Sequence, residues 1–203
     1  MCVTYISVAA AFWVAFFVVD ADKDRMLRGE PYLANADALL SERRHCRLLV
    51  ERFNATSFAD TTRRRAILGE LLGRIGEGAE VMAPFQCDYG YQISVGARTF
   101  INYGAIVLDA AEVRIGDDVQ IGPGVQLLTA LHPLESEPRR RGVETSAPVG
   151  IGDRAWLAAG VIVLPGVNIG ADTVIGAGSV VTDDMPSGHL CFGNPCRVIR
   201  EIH

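Results

Sequence analysis

The chain has four histidines, His45, His132, His189 and His203, and their spacing is not that of a metal set. His132 stands apart from the others. It lies in Thr129-Ala-Leu-His-Pro133, inside a stretch between Leu127 and Ile151 where an otherwise regular apolar pattern lapses. That stretch carries His132, Pro133, Pro138, three arginines and Pro148 instead, as an excursion from a repeating scaffold does. Functional side chains concentrate on such segments. An imidazole titrates near neutrality, so it can take a proton from an attacking hydroxyl and pass it to a leaving group. The competing reading is a solvated loop histidine. The five cysteines, Cys2, Cys46, Cys87, Cys191 and Cys196, are odd in number and scattered, which argues against a disulfide framework or structural zinc and for reduced thiols.

The elements that must hold His132 are written as a six-residue repeat. Aliphatic residues recur at Val95, Ile101, Val107 and Val113, and again, offset by two, at Ile115, Ile121 and Leu127. The last block is the most regular: Ile151, Leu157, Val163, Ile169, Ile175 and Val181. Small or β-branched residues follow four positions on, at Ala155, Val161, Val167, Thr173 and Ser179. A period of six with one inward aliphatic suits a prism of three short strands per turn, with like positions stacked in columns. The expected fold is mainly β, a left-handed parallel β-helix. Exposed strand edges are a liability, so an end cap and flat faces buried by oligomerisation are expected, and a three-sided prism suggests a homotrimer.

Ahead of the repeat, residues 35–75 carry helical apolar spacing: Leu39, Leu40, Leu48, Leu49, Val50 and Phe53, then Ile67, Leu68, Leu71, Leu72 and Ile75. Residues 54–60 supply a turn with Asp60 as N-cap, and Gly76 and Gly78 are expected to end the second helix. The chain thus divides into 1–25, a helical cap 26–79, and a β-helix domain 80–203 with a protruding loop 128–150 and a C-terminal tail. Residues 2–19 are uncharged and reach the lower length limit of a membrane span. Either they are an anchor, with Lys23 and Arg25 holding the domain on the cytoplasmic side, or the frame is over-extended and Met26 is the start. Both readings leave the domain cytoplasmic. A formal charge of −5 leaves no basic field for nucleic acid.

Several motifs go beyond the repeat: Met26-Leu-Arg-Gly-Glu-Pro-Tyr32, Arg52-Phe-Asn, Cys87-Asp-Tyr-Gly-Tyr91, Asn102-Tyr, Val107-Leu-Asp109, Trp156, and Gly193-Asn-Pro-Cys-Arg-Val-Ile-Arg200. With the His132 motif, they make the chain resemble the hexapeptide-repeat sugar O-acetyltransferases, the family of maltose, galactoside and nodulation-factor acetyltransferases. The resemblance implies acetyl transfer from acetyl-CoA to a hydroxyl of a sugar-like acceptor, without a metal, at sites between subunits of a homotrimer. It makes His132 the general base, sets Asn102 in the acceptor pocket and gives the backbone N–H of Ala159 to the thioester oxygen. Asp88, Tyr89 and Asp109 fall in the acceptor region, and Trp156 walls the site. Ala177, Thr182, Arg197 and Arg200 then line the coenzyme groove, with Ala159.

Two departures qualify it. Asp183 stands where the family often has lysine, and Tyr32-Leu-Ala-Asn35 lacks an acidic sugar-binding residue found in relatives. The competing functions are an antibiotic or xenobiotic acetyltransferase of the same fold, a γ-type carbonic anhydrase, and a non-catalytic β-helix. Too few histidines argues against the zinc enzyme.

Overall fold

The structure, a computed structural model, describes residues 21–202. The apolar run 2–19 lies outside the described residues, and among those described no helix is long and apolar enough to cross a membrane. From Arg74 to Val181 the chain winds as a parallel β-solenoid whose strands stack in three sheets, one per side. The first side holds Arg74–Ile75, Ile93–Val95, Val113–Ile115, Val149–Ile151 and Asn168–Ile169. On the second lie Glu80–Val81, Phe100–Ile101, Gln120–Ile121, Trp156–Leu157 and Val174–Ile175, closed by the antiparallel hairpin His189–Gly193 and Cys196–Glu201. The third comprises Phe85–Cys87, Ala105–Leu108, Gln126–Leu128, Ile162–Val163 and Val180–Val181.

The columns expected from the hexads are the core. Val95, Ile115, Ile151 and Ile169 stack in register on the first side. Ile101, Ile121, Leu157 and Ile175 do so on the second, and Val107, Leu127, Val163 and Val181 on the third. Each is at most 4% exposed, and burying one such side chain is worth about 1.5–3 kcal/mol. The two-residue offset also has a cause. Val113 and Ile115 are both buried ends of one strand, paired with Ile93 and Val95, because the early corner from third side to first is two residues longer than the late one.

Among the described residues three helices precede the solenoid: α1 (Ala21–Leu27), α2 (Asp37–Ala55) and α3 (Thr61–Leu71). Asp60 caps α3 as expected, its carboxylate accepting from Arg63 N at 3.0 Å. Leu49, Phe53, Ile67, Leu68 and Leu71 then close the open end of the first coil. The expected helix end at Gly76 is corrected, because α3 stops at Leu71 and the solenoid begins at Arg74, before the boundary at 80. A Cβ on Gly76 would lie 2.3 Å from Ala97 N, so this glycine serves a tight coil-on-coil approach rather than a helix terminus. A division at residue 26 also cuts α1. Met26 is fully buried, Lys23 pairs with Glu42, and Asp22 Oδ1 accepts from Leu33 N at 3.0 Å.

The excursion is folded rather than loose. Ala130–Leu131 and Val143–Ser146 form an antiparallel pair around a short helix, Ser136–Arg140. The outer strand then pairs with Tyr32–Leu33 of the cap. Met26, Tyr32, Ala34, Leu39, Tyr89 and Ala110 make a second apolar cluster beneath this three-stranded sheet. At the corner from first side to second, a column of residues has positive φ: Gly78, Arg98, Asp118, Arg154 and Asp172, between 56° and 67°. Arg98 donates twice to Asp118 at 2.6 Å, and Arg154 donates to Asp172 at 2.6 and 2.8 Å.

Candidate active site

His132 is launched from the edge between third side and first, where Tyr89, Asp109 and Thr129 follow strands that stack on one another. Asp109 Oδ1 accepts from Asp88 N at 3.0 Å and Tyr89 N at 2.9 Å, while Oδ2 is buried without a hydrogen-bond partner. Burial pushes its carboxyl up to about 7, against the lowering effect of the two amides. Thr129 Oγ1 donates to Leu108 O at 2.6 Å and accepts from Ala111 N at 2.9 Å. These bonds fix the corner from which Ala130 and Leu131 leave the coil. Asp109 is fully buried and Tyr89 nearly so, its hydroxyl accepting from Arg43 Nη1 at 2.7 Å. Neither offers surface to an acceptor here, so both shape the edge from below rather than face a sugar.

The register Ala130↔Ser146 and Leu131↔Thr145 brings His132 opposite Glu144. His132 is 58% exposed, and its Nε2 lies 3.8 Å from Glu144 Oε1. The other oxygen of Glu144 accepts from Tyr32 Oη at 2.8 Å, which holds the carboxylate in place. A carboxylate fixed beside one nitrogen of the imidazole leaves the far nitrogen for a substrate. Asp88 is half-buried nearby, its carboxyl raised by desolvation and by Glu144, with Arg43 and Arg47 opposing. Sequence reasoning missed Glu144 and Arg43. The only signal for Glu144 was Gly142, whose φ of +83° ends the short helix and starts the returning strand.

Asn102 belongs to a different edge, between second side and third. It follows Phe100–Ile101, and its Oδ1 accepts from Tyr103 N at 2.8 Å. Tyr103, Pro123, Ala159 and Ala177 stack along this edge, each carbonyl accepting from the glycine of the next coil where one follows: Gly124, Gly160 and Gly178. Cβ atoms built on those three glycines would meet nothing within 4 Å, so the edge is bare. The amide of Ala159 has no backbone acceptor among the described residues. Gly122 lies so close that a Cβ there would come within 2.7 Å of Ala159 N. Trp156 is 51% exposed on the second side, flanked by Gln120 and Val174. Thr182, Arg197 and Arg200 are exposed near the solenoid's far end, with Arg197 3.5 Å from Asp183.

The expected residues therefore fall into two groups on one chain. Asp88, His132 and Glu144 share one edge; Asn102, Ala159 and Ala177 share the other, and the strand Ala105–Leu108 separates them, about 13 Å long at strand rise. A cavity of about 660 Å³ between α3 and the first coil, lined by Phe58, Arg64 and Met82, lies away from both. Among the described residues no group of three metal-ligating side chains is assembled.

Comparison with known proteins places the chain in context. Residues 25–76 match the maltose acetyltransferase hexapeptide capping motif, and residues 148–183 match the bacterial transferase hexapeptide repeat. Nodulation protein L of Rhizobium leguminosarum bv. viciae is 46% identical, over 88% of this chain and 94% of its own. The crystal structure of a maltose O-acetyltransferase from Clostridium difficile 630 superposes with a TM-score of 0.88 at 45% identity, covering 90% of this chain and 97% of the other. A galactoside acetyltransferase in complex with coenzyme A gives 0.86 at 35% identity, over 90% and 91%. With this identity sustained along cap and coil alike, the chain belongs to the hexapeptide-repeat acetyltransferases, the family that includes the maltose and galactoside O-acetyltransferases.

Proposed function

We propose that the protein transfers an acetyl group from acetyl-CoA to a hydroxyl of a sugar, with His132 as general base and two subunits of a homotrimer completing each site. The observation that carries this reading is the separation of His132 and Asn102 onto different edges of one prism. A site that uses both must draw one from each of two neighbouring chains, and a cyclic trimer of three-sided prisms repeats that contact three times. Acetyl-CoA supplies an acyl group already activated as a thioester, so no protein nucleophile is needed. The bare edge of Ala159, Ala177 and open glycines suits a long cofactor arm, and Arg197 and Arg200 suit its phosphates. Asp183, paired with Arg197, competes for one of those contacts.

In this reading His132 takes the acceptor's proton while Glu144 steadies the resulting cation. The unengaged Ala159 N–H donates to the thioester oxygen. Asn102 and the exposed indole of Trp156 position the acceptor, and Asp88 hydrogen-bonds its hydroxyls. The galactoside and maltose enzymes named above support a sugar as the acceptor class. Subunit mixing tests the whole scheme. Trimers assembled from equal amounts of His132→Ala and Asn102→Ala chains, each inactive alone, should regain about a quarter of wild-type thiol release from acetyl-CoA, since one pairing in four restores a site. Mixed trimers no more active than either parent would place both residues in one chain and overturn the shared site.

A further inference from the structure

One position at the head of the solenoid departs from its column. In every later coil the inward residue of the third side is aliphatic, at Val107, Leu127, Val163 and Val181, and the first coil heads the other two sides with Ile75 and Val81. The third column begins instead with Cys87, buried and paired in register with Val107. Facing it from the cap is Cys46, 1% exposed on the inner face of α2 with Leu49 and Phe53. The two Sγ atoms lie 3.5 Å apart, and Cys46 Sγ is 3.7 Å from Cys87 O. The residues are 41 positions apart, so only the docking of the cap on the first coil brings them together. That docking is held on both sides of the pair. Three residues before Cys46, Arg43 donates to Tyr89 Oη at 2.7 Å; eight residues after it, Asn54 exchanges two hydrogen bonds with the backbone of Phe85, at 3.0 and 2.9 Å.

We infer that Cys46 and Cys87 are a modification site, forming a reversible disulfide that locks the helical cap onto the first coil. Closing the sulfurs from 3.5 Å to the bond length of about 2.05 Å is a movement that side-chain rotation supplies, while the ties at Arg43 and Asn54 keep helix and strand in place. The chemistry is exchange with a small disulfide such as oxidised glutathione. One cysteine sulfur displaces a thiol from it to give a mixed disulfide, and the second then displaces the other thiol. Two electrons and two protons pass from the pair to the oxidant, which departs as two reduced thiols. The contact with Cys46, burial, and the carboxylates of Asp109 and Asp88 all hold the Cys87 thiol well above its ordinary value, so the exchange is slow. The pair therefore follows the standing redox balance rather than a brief pulse of oxidant. Its bond closes a loop that contains α3 and the rest of α2, and such a constraint on the unfolded chain stabilises the folded one.

The test holds the full chain, first reduced and kept folded, in a glutathione buffer dominated by the oxidised form. Peptide mapping without reductant should find Cys46 joined to Cys87, two hydrogens lighter than the reduced pair, rather than any link through Cys2, Cys191 or Cys196. The melting temperature should rise by about 5 °C or more and return to its starting value when a dithiol reductant is added. Cys46→Ala and Cys87→Ser should each lack both the linked peptide and the rise. Should either variant fail to fold, the mapping and melts of the unaltered chain decide alone. A pair that stays fully open to alkylation overnight, links only in denaturant, joins a different cysteine, or links without raising the melting temperature overturns the lock. None of these readouts depends on which acceptor is acetylated.

Discussion

Along one edge of the third side the corner residues are Tyr103, Pro123, Ala159 and Ala177; along the other they are Tyr89, Asp109 and Thr129. The first edge keeps the repeat through every coil and offers backbone amides, open glycines and little else. The second is where the corner lengthens by two residues and the chain then departs for the hairpin that bears His132. It is crowded with titratable groups: Asp88, Asp109, Glu144, Arg43 and two tyrosines. Uniform repetition makes a surface suited to hold a long cofactor, whereas acid–base chemistry needs unlike side chains brought close, which only the break supplies.

That contrast can be broken most directly at His132. Its replacement by alanine should lower kcat by about two to four orders of magnitude while leaving acetyl-CoA binding nearly unchanged, because the groove proposed for the coenzyme lies on the other edge. Stopped-flow thiol release and equilibrium coenzyme titration separate the two, and a loss below tenfold refutes the general base. Glu144→Ala should cost about tenfold to a hundredfold in kcat, with Glu144→Gln recovering part of it, since the amide still accepts from Tyr32 but presents no charge beside His132. An unaltered kcat would reduce Glu144 to a hairpin residue.

A subtler contrast lies beneath the edge that bears His132. With its carboxyl pushed up to about 7, Asp109 keeps a proton in the folded protein that the unfolded chain has already released. Stability from this group is therefore greatest below the ordinary carboxyl value near 4 and falls as pH rises toward 7, by a few kcal/mol at most. In Asp109→Asn the amide oxygen can still accept from Asp88 N and Tyr89 N, and thermal melts between pH 4.5 and 7.5 should lose much of the wild-type decline. Parallel declines in both proteins would show that Asp109 does not titrate in this window. The smallest effect concerns the start of the cap. A chain begun at Met26 should keep its kcat, but without the Lys23–Glu42 pair and the Asp22 bond to Leu33 N it should melt a few degrees lower, about 1 kcal/mol. Equal melting temperatures would make the segment before Met26 dispensable to the fold.

Much of the solenoid was legible because its information is local and periodic: Ile151, Leu157, Val163 and their successors announce the columns without reference to anything distant. Asp60 was legible for the same reason. The end of α3 was not, since Gly76 and Gly78 read as helix stops although Gly76 is tuned to Ala97 in the next coil. His132 showed itself by interrupting the code. Its partner did not, because Glu144 is fixed by Tyr32, 112 residues away, and no spacing encodes a pairing between the cap and the excursion. Asp109 was visible as a motif residue but not as a buried one. The corner amides that claim it belong to Asp88 and Tyr89, one coil earlier.

The remaining edge, with its column Arg98, Asp118, Arg154, Asp172, has a bearing on how the coils find their order. Opposite charges alternate from each coil to the next, and Arg154 also faces Asp118, so the sign changes at every step. A coil that skipped its neighbour and docked on the one beyond would set arginine against arginine or aspartate against aspartate. Apolar columns give no protection against that mistake, because Ile115 stacks as well on Ile169 as on Ile151. A stack one coil out of order would lose the Arg98–Asp118 and Arg154–Asp172 pairs and set like charges together, so this edge disfavours it on both counts.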